Sequence, residues 1–325
     1  MVHFPNRSVV PPREIVMIGV CIVTYNQEQY ISQCIDSALN QQCEDVVRVY
    51  VGNDCSTDNT ADICRTYSDR IIVVNREKNL GLVGNTLALL QQMQEDGCDY
   101  IAMLDGDDYW THPQKLQMQL DYLKEHPEYG LVHTYVDLLY PDGSIHRDKR
   151  TKVKEGNVFD SIENYQIGNC SVMFRSELLK LIDFEEFRLQ GLKSCDYSMY
   201  AIFASRTSFG FIPQHTAVWR RGIESISGSA YVEKQIAYYQ NDIAHWKYLS
   251  KLFPDRFPYS EENGQAHLHK RAFNVAFRYG DRRRALAEAK QMKQCDIDAN
   301  RLKIFCAHSK ILVWLWNKMH QIRQL

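Results

Sequence analysis

The 325-residue sequence has almost no net charge, −2 with histidine neutral, so it lacks the basic field that would recruit nucleic acid. It has no apolar run near the roughly 20 residues needed to span a bilayer, and no secretory hydrophobic stretch at its start. Its ten cysteines stand singly between Cys21 and Cys306 without a C-x-x-C pair, a pattern of reduced, mostly core thiols in a cytoplasmic protein. There is no internal repeat and no low-complexity linker. Glycine is missing from Val23-Thr-Tyr-Asn26, the turn after the first apolar run, whereas cradling phosphates on a helix N-terminus normally needs a glycine-rich turn. A dinucleotide fold and a P-loop are thereby disfavoured.

What is present is an alternation of short apolar runs and helical spacings. Ile15–Thr24, Val46–Val51, Ile71–Val74 and Tyr100–Leu104 read as strands, with helices expected over Gln27–Leu39, about Asn59–Tyr67 and Leu82–Gln94. Strands joined through helices by short links imply a doubly wound, mostly parallel α/β sheet covered on both faces. Thr111 is expected to cap a helix running to about Lys124, with Pro113 in its first turn. A mixed region follows, with strands at Gly130–Tyr140, Asn169–Arg175, Phe209–Ile212 and Thr216–Trp219 and helices near Glu177 and Tyr197. Beyond Ser229 the pattern is helical, with amphipathic helices over 230–255 and 265–293. The expected organisation is a loose arm at 1–14, an α/β domain at 15–229 and a helical region at 230–325.

Tyr100-Ile-Ala-Met-Leu-Asp-Gly-Asp-Asp-Tyr-Trp110 delivers Asp105, Asp107 and Asp108 to a strand end, where open α/β sheets bind ligands. Carboxylates this close repel one another, and a hard divalent cation relieves the repulsion by taking oxygen ligands. Gly106 would let the backbone approach a ligand closely. The alternative is an acidic turn capping the next helix. Asp54 ends the second strand, and with Asp58 it flanks Ser56 and Thr57, which taken alone is a helix-capping cluster. In a parallel sheet, however, Thr24, Asp54 and Asp105 share one edge. A carboxylate there suits the N–H donors of a pyrimidine or the hydroxyls of ribose.

Val23-Thr-Tyr-Asn26, Asp54-Cys-Ser-Thr-Asp58-Asn-Thr60, Asn79-Leu-Gly81 with Asn85, and Leu104-Asp-Gly-Asp-Asp108 resemble, in order, the signature of the family 2 glycosyltransferases. The resemblance extends through Ser194-Cys-Asp196 and Trp219-Arg-Arg-Gly-Ile-Glu-Ser-Ile-Ser227, covering roughly the first 230 residues. It implies a GT-A fold with a mixed acceptor-side region and a helical C-terminal extension, and inverting transfer from a nucleotide sugar, usually a UDP-sugar, with Mg2+ or Mn2+. It also implies nucleotide contacts from Thr24, Tyr25, Asn26, Asp54, Asn79 and Asp105, and metal contacts from Asp107 and Asp105, with Asp108 as a third acid. The acceptor would be a glycan or a lipid-linked glycan of cell-surface polysaccharide synthesis.

The chemistry requires the same parts. A sugar leaving a diphosphate builds negative charge that a divalent cation stabilises, and the attacking hydroxyl needs a general base. Asp196, where a helix begins, is the candidate base; the alternatives are an N-cap role for Asp196, with Glu185 or Glu186 as base. The family usually shows an acid where this chain has Cys195. Arg220 and Arg221 would pair the diphosphate or be solvated on a strand edge, and Tyr109 and Trp110 would form a wall for sugar or acceptor or be buried. His267 and His269 are two apart on a helix and make a poor metal pair, and His215 takes a surface or core role by default. After Asp298 no acid remains, while Arg301, Lys303, Lys310, Lys318 and Arg323 interleave with Phe305, Ile311, Leu312, Val313, Trp314, Leu315 and Trp316. Such a helix either docks on the protein or lies peripherally on the inner face of the cytoplasmic membrane. Two other functions share these features, a sugar-nucleotide nucleotidyltransferase and a non-catalytic carbohydrate-binding protein. The first wants a basic glycine-rich loop after strand one, and the second would have lost acids.

Overall fold

The computed structural model describes residues 15–147, 156–164, 167–221, 232–294 and 306–322. The expected arm at 1–14, most of the Trp219–Ser227 motif, and Arg301, Lys303, Phe305 and Arg323 lie outside the described residues. The first half alternates as the apolar runs require: β1 (Met17–Thr24), α1 (Ile31–Leu39), β2 (Val46–Asn53), α2 (Thr60–Arg65), β3 (Ile72–Asn75), α3 (Gly81–Glu95) and β4 (Tyr100–Asp105). β5 (Tyr109–Trp110), α4 (Lys115–Glu125), β6 (Tyr129–Leu139), β7 (Ile145–Arg147), β8 (Met173–Arg175), α5 (Phe184–Leu189), α6 (Asp196–Ala204) and β9 (Ser208–Arg220) follow. The C-terminal helices are α7 (Val232–Leu252), α8 (Glu261–Arg278), α9 (Arg282–Gln294) and α10 (Lys310–Ile322).

One sheet runs in the order β3-β2-β1-β4-β8-β6-β9-β5, with β7 paired to β6. β3, β2, β1 and β4 are mutually parallel, so Thr24, Asn53 and Asp105 finish on the same edge. β8 is antiparallel to both β4 and β6, and β6 and β9 are parallel to each other, which makes the second half the mixed region. β1 is buried along nearly its whole length, because helices cover both faces and leave no polar side to alternate. One face packs Leu87, Leu90, Phe174, Phe203 and Tyr248, and the other packs Ile31, Ile35, Leu116, Leu120 and Trp110. Each such aliphatic or aromatic burial contributes on the order of 1.5–3 kcal/mol.

Four local expectations are corrected. Thr111 does not cap α4; its N–H donates to Thr216 O, because β5 is drawn into pairing with β9 and the helix starts only at Lys115. The expected strand at Asn169–Arg175 opens as a 3-10 turn over Asn169–Ser171 and is extended only over β8. Phe209–Ile212 and Thr216–Trp219 are one strand whose register with β6 shifts around Pro213 and Gln214, so the irregularity hides continuity. The expected helix over 265–293 is two. Gly280 takes φ +77°, the Asp281 N–H reaches Ala276 O and the Gly280 N–H reaches Phe277 O, which closes α8 in a Schellman motif. Asp281 then accepts from the Arg284 N–H and starts α9.

Phe273, Phe277, Ala285 and Met292 of α8 and α9 form a separate small core with Val313 of α10. On α10, Val313 is buried while Ile311 and Trp314 are 70% and 57% exposed. Among the described residues no helix is long and apolar enough to cross a membrane.

Candidate active site

The loops leaving β1 and β2 are stitched together. Asn26, at φ 52°, gives its N–H to Ser56 Oγ, receives the Thr57 N–H at 2.7 Å and donates Nδ2 to Thr57 Oγ1. The Gln27 N–H reaches Thr60 Oγ1 and the Glu28 N–H reaches Asp58 Oδ2. These bonds delay α1 to Ile31, and they give Asn26 a loop-joining role. Asp58 is the carboxylate at the start of α2, accepting from Thr60 N–H. Burial works to raise its pKa, but the hydrogen bonds from Thr60 and Glu28 win and hold it below the usual range. Tyr25 beside this seam is 46% exposed.

Asp54 is buried and accepts the Leu80 N–H at 2.7 Å, which ties the Asn79-Leu-Gly81 turn to the end of β2 rather than capping α2. Asn79 itself turns outward and accepts from the Gly81 N–H. Sequence reasoning missed Arg76. Its N–H donates to Asn53 O and its Nε to Asn85 Oδ1, while Asn85 Nδ2 holds Gly52 O at 2.7 Å. Arg76 Nη2 is buried without a partner. Burial lowers the guanidinium pKa and the nearby Asp54 carboxylate opposes this. A basic residue immediately after β3, on the edge that carries Thr24 and Asp54, was the available signal.

The acids at the end of β4 have different partners. Both oxygens of Asp105 receive Asn169 Nδ2, at 3.1 and 3.2 Å, and Asn169 Oδ1 accepts Tyr200 OH at 2.6 Å. Burial, then the Asp107 charge, push the Asp105 pKa up to about 7, with Asp196 adding to the rise and Asn169 opposing it. Burial also raises Asp107, while Arg220 and the Gln27 side chain pull it back. Asp108 is 2% exposed and accepts the Arg220 N–H at 2.9 Å. It is therefore a buried anchor for the end of β9 and not a third crevice acid. Its pKa is raised well above the usual range by burial and then by Asp107 and Asp105. Gly106 serves a different close approach from the expected one: a Cβ there would sit 2.9 Å from Thr24 Cβ and collide with Gln27, so the loop packs on the end of β1.

Arg220 is not a solvated edge residue. Its guanidinium donates to Asp107 O and Gln33 Oε1, and lies 4.8 and 4.7 Å from the ring centroids of Tyr30 and Tyr109. Arg221 instead lies over Trp219. Trp110 is core rather than wall: it is 5% exposed, donates Nε1 to Cys170 O and carries Lys115 Nζ 4.3 Å above its ring. Asp196 begins α6, close enough to Asp105 to influence its protonation. The rival bases are engaged on the surface, Glu185 with Arg188 and Glu186 with Gln190 and Lys251. His269 pairs with Glu288 while His267 faces Asp242, so the two histidines diverge, and His215 lies 2.6 Å from Asp137.

Among the described residues no group of three or more His, Cys, Asp or Glu is placed to hold a metal ion. The pair Asp105 and Asp107 nonetheless fits a hard divalent cation. They are oxygen donors whose charges are held at a cost by burial and mutual repulsion, and Mg2+ characteristically uses one or two carboxylates together with substrate phosphates.

The profile of Glycosyl transferase family 2 matches residues 19–188. An uncharacterized protein of Mycobacterium tuberculosis, Rv1520, is 27% identical over 226 residues, 67% of this chain and 62% of that protein. The chain thus spans under two thirds of that relative's length. The putative teichuronic acid biosynthesis glycosyltransferase TuaG of Bacillus subtilis is 32% identical over 165 residues, 50% of this chain and 63% of its own. The fold is similar to mannosyltransferase PcManGT of Pyrobaculum calidifontis in complex with GDP-Man and Mn2+, with TM-score 0.54 and 17% identity over 94% of this chain and 88% of that one. It is also similar to S. aureus TarS in complex with UDP-GlcNAc, with TM-score 0.52 and 16% identity over 86% and 89%.

Proposed function

The chain belongs to glycosyl transferase family 2, and on that footing we propose that it moves a sugar, with inversion, from a nucleotide sugar of UDP type to a hydroxyl of a glycan or lipid-linked glycan. The observation that supports the reading is the shared edge of the parallel strands, which carries Asp54 with Arg76 at one end and Asp105 at the other, with the charges of Asp107 and Asp196 within reach of Asp105. Asp54 and the unpartnered Arg76 Nη2 offer an acceptor and a donor side by side, the complement of the N–H and carbonyl of a pyrimidine edge. Tyr25 is exposed to stack on the base. Asp105 and Asp107 would hold Mg2+ or Mn2+, which when bound supplies Lewis-acid stabilisation of the leaving diphosphate. Arg220 is fixed beside Asp107 and adds positive charge on the same side. Asp196 takes the proton of the attacking hydroxyl on the face opposite the leaving group. The exposed Ile311 and Trp314, with Lys318 Nζ 4.6 Å from the Trp314 ring, support peripheral contact with a membrane that carries the acceptor.

Nucleotide release from UDP-, GDP- and dTDP-sugars with Mn2+ tests the reaction class. Asp196→Asn preserves shape but cannot accept a proton near neutral pH, so kcat should fall about 10²- to 10⁴-fold with donor affinity intact. Wild-type turnover in that variant, together with loss in Glu185→Gln or Glu186→Gln, would transfer the role to the glutamates.

A further inference from the structure

The buried stripe of α7 is apolar only in part. Tyr239, Ile243 and Trp246 are only half-buried, whereas Asn241, His245, Tyr248 and Leu249 are buried. Spacings of four, three and one place these four along one helix face. Tyr248 and Leu249 enter the main core, and the two polar members must be satisfied where they lie.

The carbonyl of Asn241 and both ring nitrogens of His245 find their partners among residues that bracket Asp196. Asn241 Oδ1 accepts the Lys193 N–H at 2.7 Å. His245 Nδ1 lies 2.6 Å from Ser198 Oγ, and its Nε2 lies 3.4 Å from Ser194 Oγ. The imidazole also stands edge-on to Tyr197, with centroids 5.6 Å apart and an 87° angle between planes. Positions three and two before Asp196, and one and two after it, are therefore all held from α7. The N-cap of α6 is Cys195, which makes no side-chain capping bond, so the turn that carries Asp196 has no cap of its own. The Asn241 bond also comes with a penalty, since Asn241 Nδ2 is buried without a partner. Burial lowers the His245 pKa, against the Asp196 and Asp242 charges that raise it, so the neutral ring has one donor and one acceptor nitrogen for its two hydroxyl neighbours.

We propose that Asn241 and His245 are positioning residues for Asp196, so that the C-terminal helix α7 sets the direction in which this carboxylate meets the acceptor hydroxyl. The proposal rests on the reading of Asp196 as general base. A misplacement of a base by about 1 Å costs on the order of 10²-fold in rate, which is the scale of loss expected when the bracket is cut.

The test is a double-mutant cycle read as kcat, KM for the donor, nucleotide affinity by calorimetry and melting temperature, in the full chain. His245→Ala should lower kcat by about 10- to 100-fold with nucleotide affinity within about twofold of wild type. His245→Gln, which keeps a donor and an acceptor, should recover most of the loss. In an Asp196→Asn background His245→Ala should cause no further loss, because the group it positions is already disabled. The same loss in both backgrounds would make α7 merely structural and overturn the proposal, as would wild-type kcat in His245→Ala beside an inactive Asp196→Asn. Full turnover in the Asp196→Asn single variant would instead remove the base assignment, and the proposal with it. Should His245→Ala not fold, Ser198→Ala cuts the same bond, leaves the imidazole in place and is judged by the same outcomes.

Discussion

Lys115 offers a quantitative check on the core behind the acids. The side chain is fully buried at the first residue of α4, with Gln119 Oε1 as hydrogen-bond partner and the Trp110 ring beneath its ammonium. Burial pushes its pKa from 10.5 down to about 7, a fall only partly opposed by Cys170. That fall corresponds to ~5 kcal/mol of disfavoured charge in the folded state. Lys115→Met keeps the length and removes the charge. It also forfeits the hydrogen bond to Gln119, about 1 kcal/mol, whereas the contact with Trp110 belongs to the charged form alone and is already contained in the pKa. The balance is a gain of ~4 kcal/mol at pH 6.5. The sign with pH follows from the depressed value: the penalty is complete below about pH 7 and is relieved as pH rises toward 10.5, by ~1.4 kcal/mol per pH unit. The variant should therefore be more stable than the parent by ~4 kcal/mol at pH 6.5 and by ~2 kcal/mol at pH 8, and equal to it at about pH 10. Urea unfolding of both proteins across that range, followed by far-ultraviolet circular dichroism, measures it. A stability difference that does not change with pH would refute the reasoning, since Lys115 would then keep its proton on folding and have partners adequate to its charge.

Asp107→Ala should abolish the Mn2+ dependence of nucleotide binding while the fold survives, and calorimetry with and without Mn2+ decides it. Asp54→Ala should weaken UDP binding by ~1.5–3 kcal/mol and also lower the melting temperature, because the same carboxylate holds the Leu80 N–H; unchanged UDP affinity would leave it only a turn anchor. Arg220→Lys should reduce turnover despite conserving charge, since an ammonium cannot reproduce the planar guanidinium between Tyr30 and Tyr109. Equal rates for Lys and Arg there would mean that charge alone matters.

The parallel half of the sheet was legible because doubly covered strands are written as unbroken apolar runs. β1 and β4 could be placed from composition alone, and their ends carried Thr24 and Asp105 to one edge. What escaped was settled by partners remote in sequence. Nothing in Asp107-Asp108 says which carboxylate turns inward; that is decided by the Arg220 N–H, 112 positions later. Trp110 could be read as wall or core until its indole found Cys170 O, and β9 read as two strands because Pro213 interrupts its pattern without ending its pairing with β6. Asn241 and His245 were invisible for the opposite reason. An apolar stripe was sought on α7, and the informative positions on the buried face are polar.

β9 has a practical consequence for recombining this chain with its relatives. The family match ends at residue 188, yet β9 lies inside the sheet between β6 and β5, and its last residue bonds both Asp107 and Asp108. A chimera crossed over at 188 would take its acids from one parent, and Asp196, Arg220 and α7 from the other. The bonds of Arg220 to Asp107 and Asp108, and that of Tyr200 to the Asn169 amide that holds Asp105, would then join residues that had never been matched. A crossover beyond Leu252 keeps these partners on one parental segment, so the exchangeable unit is longer than the stretch by which the family is recognised.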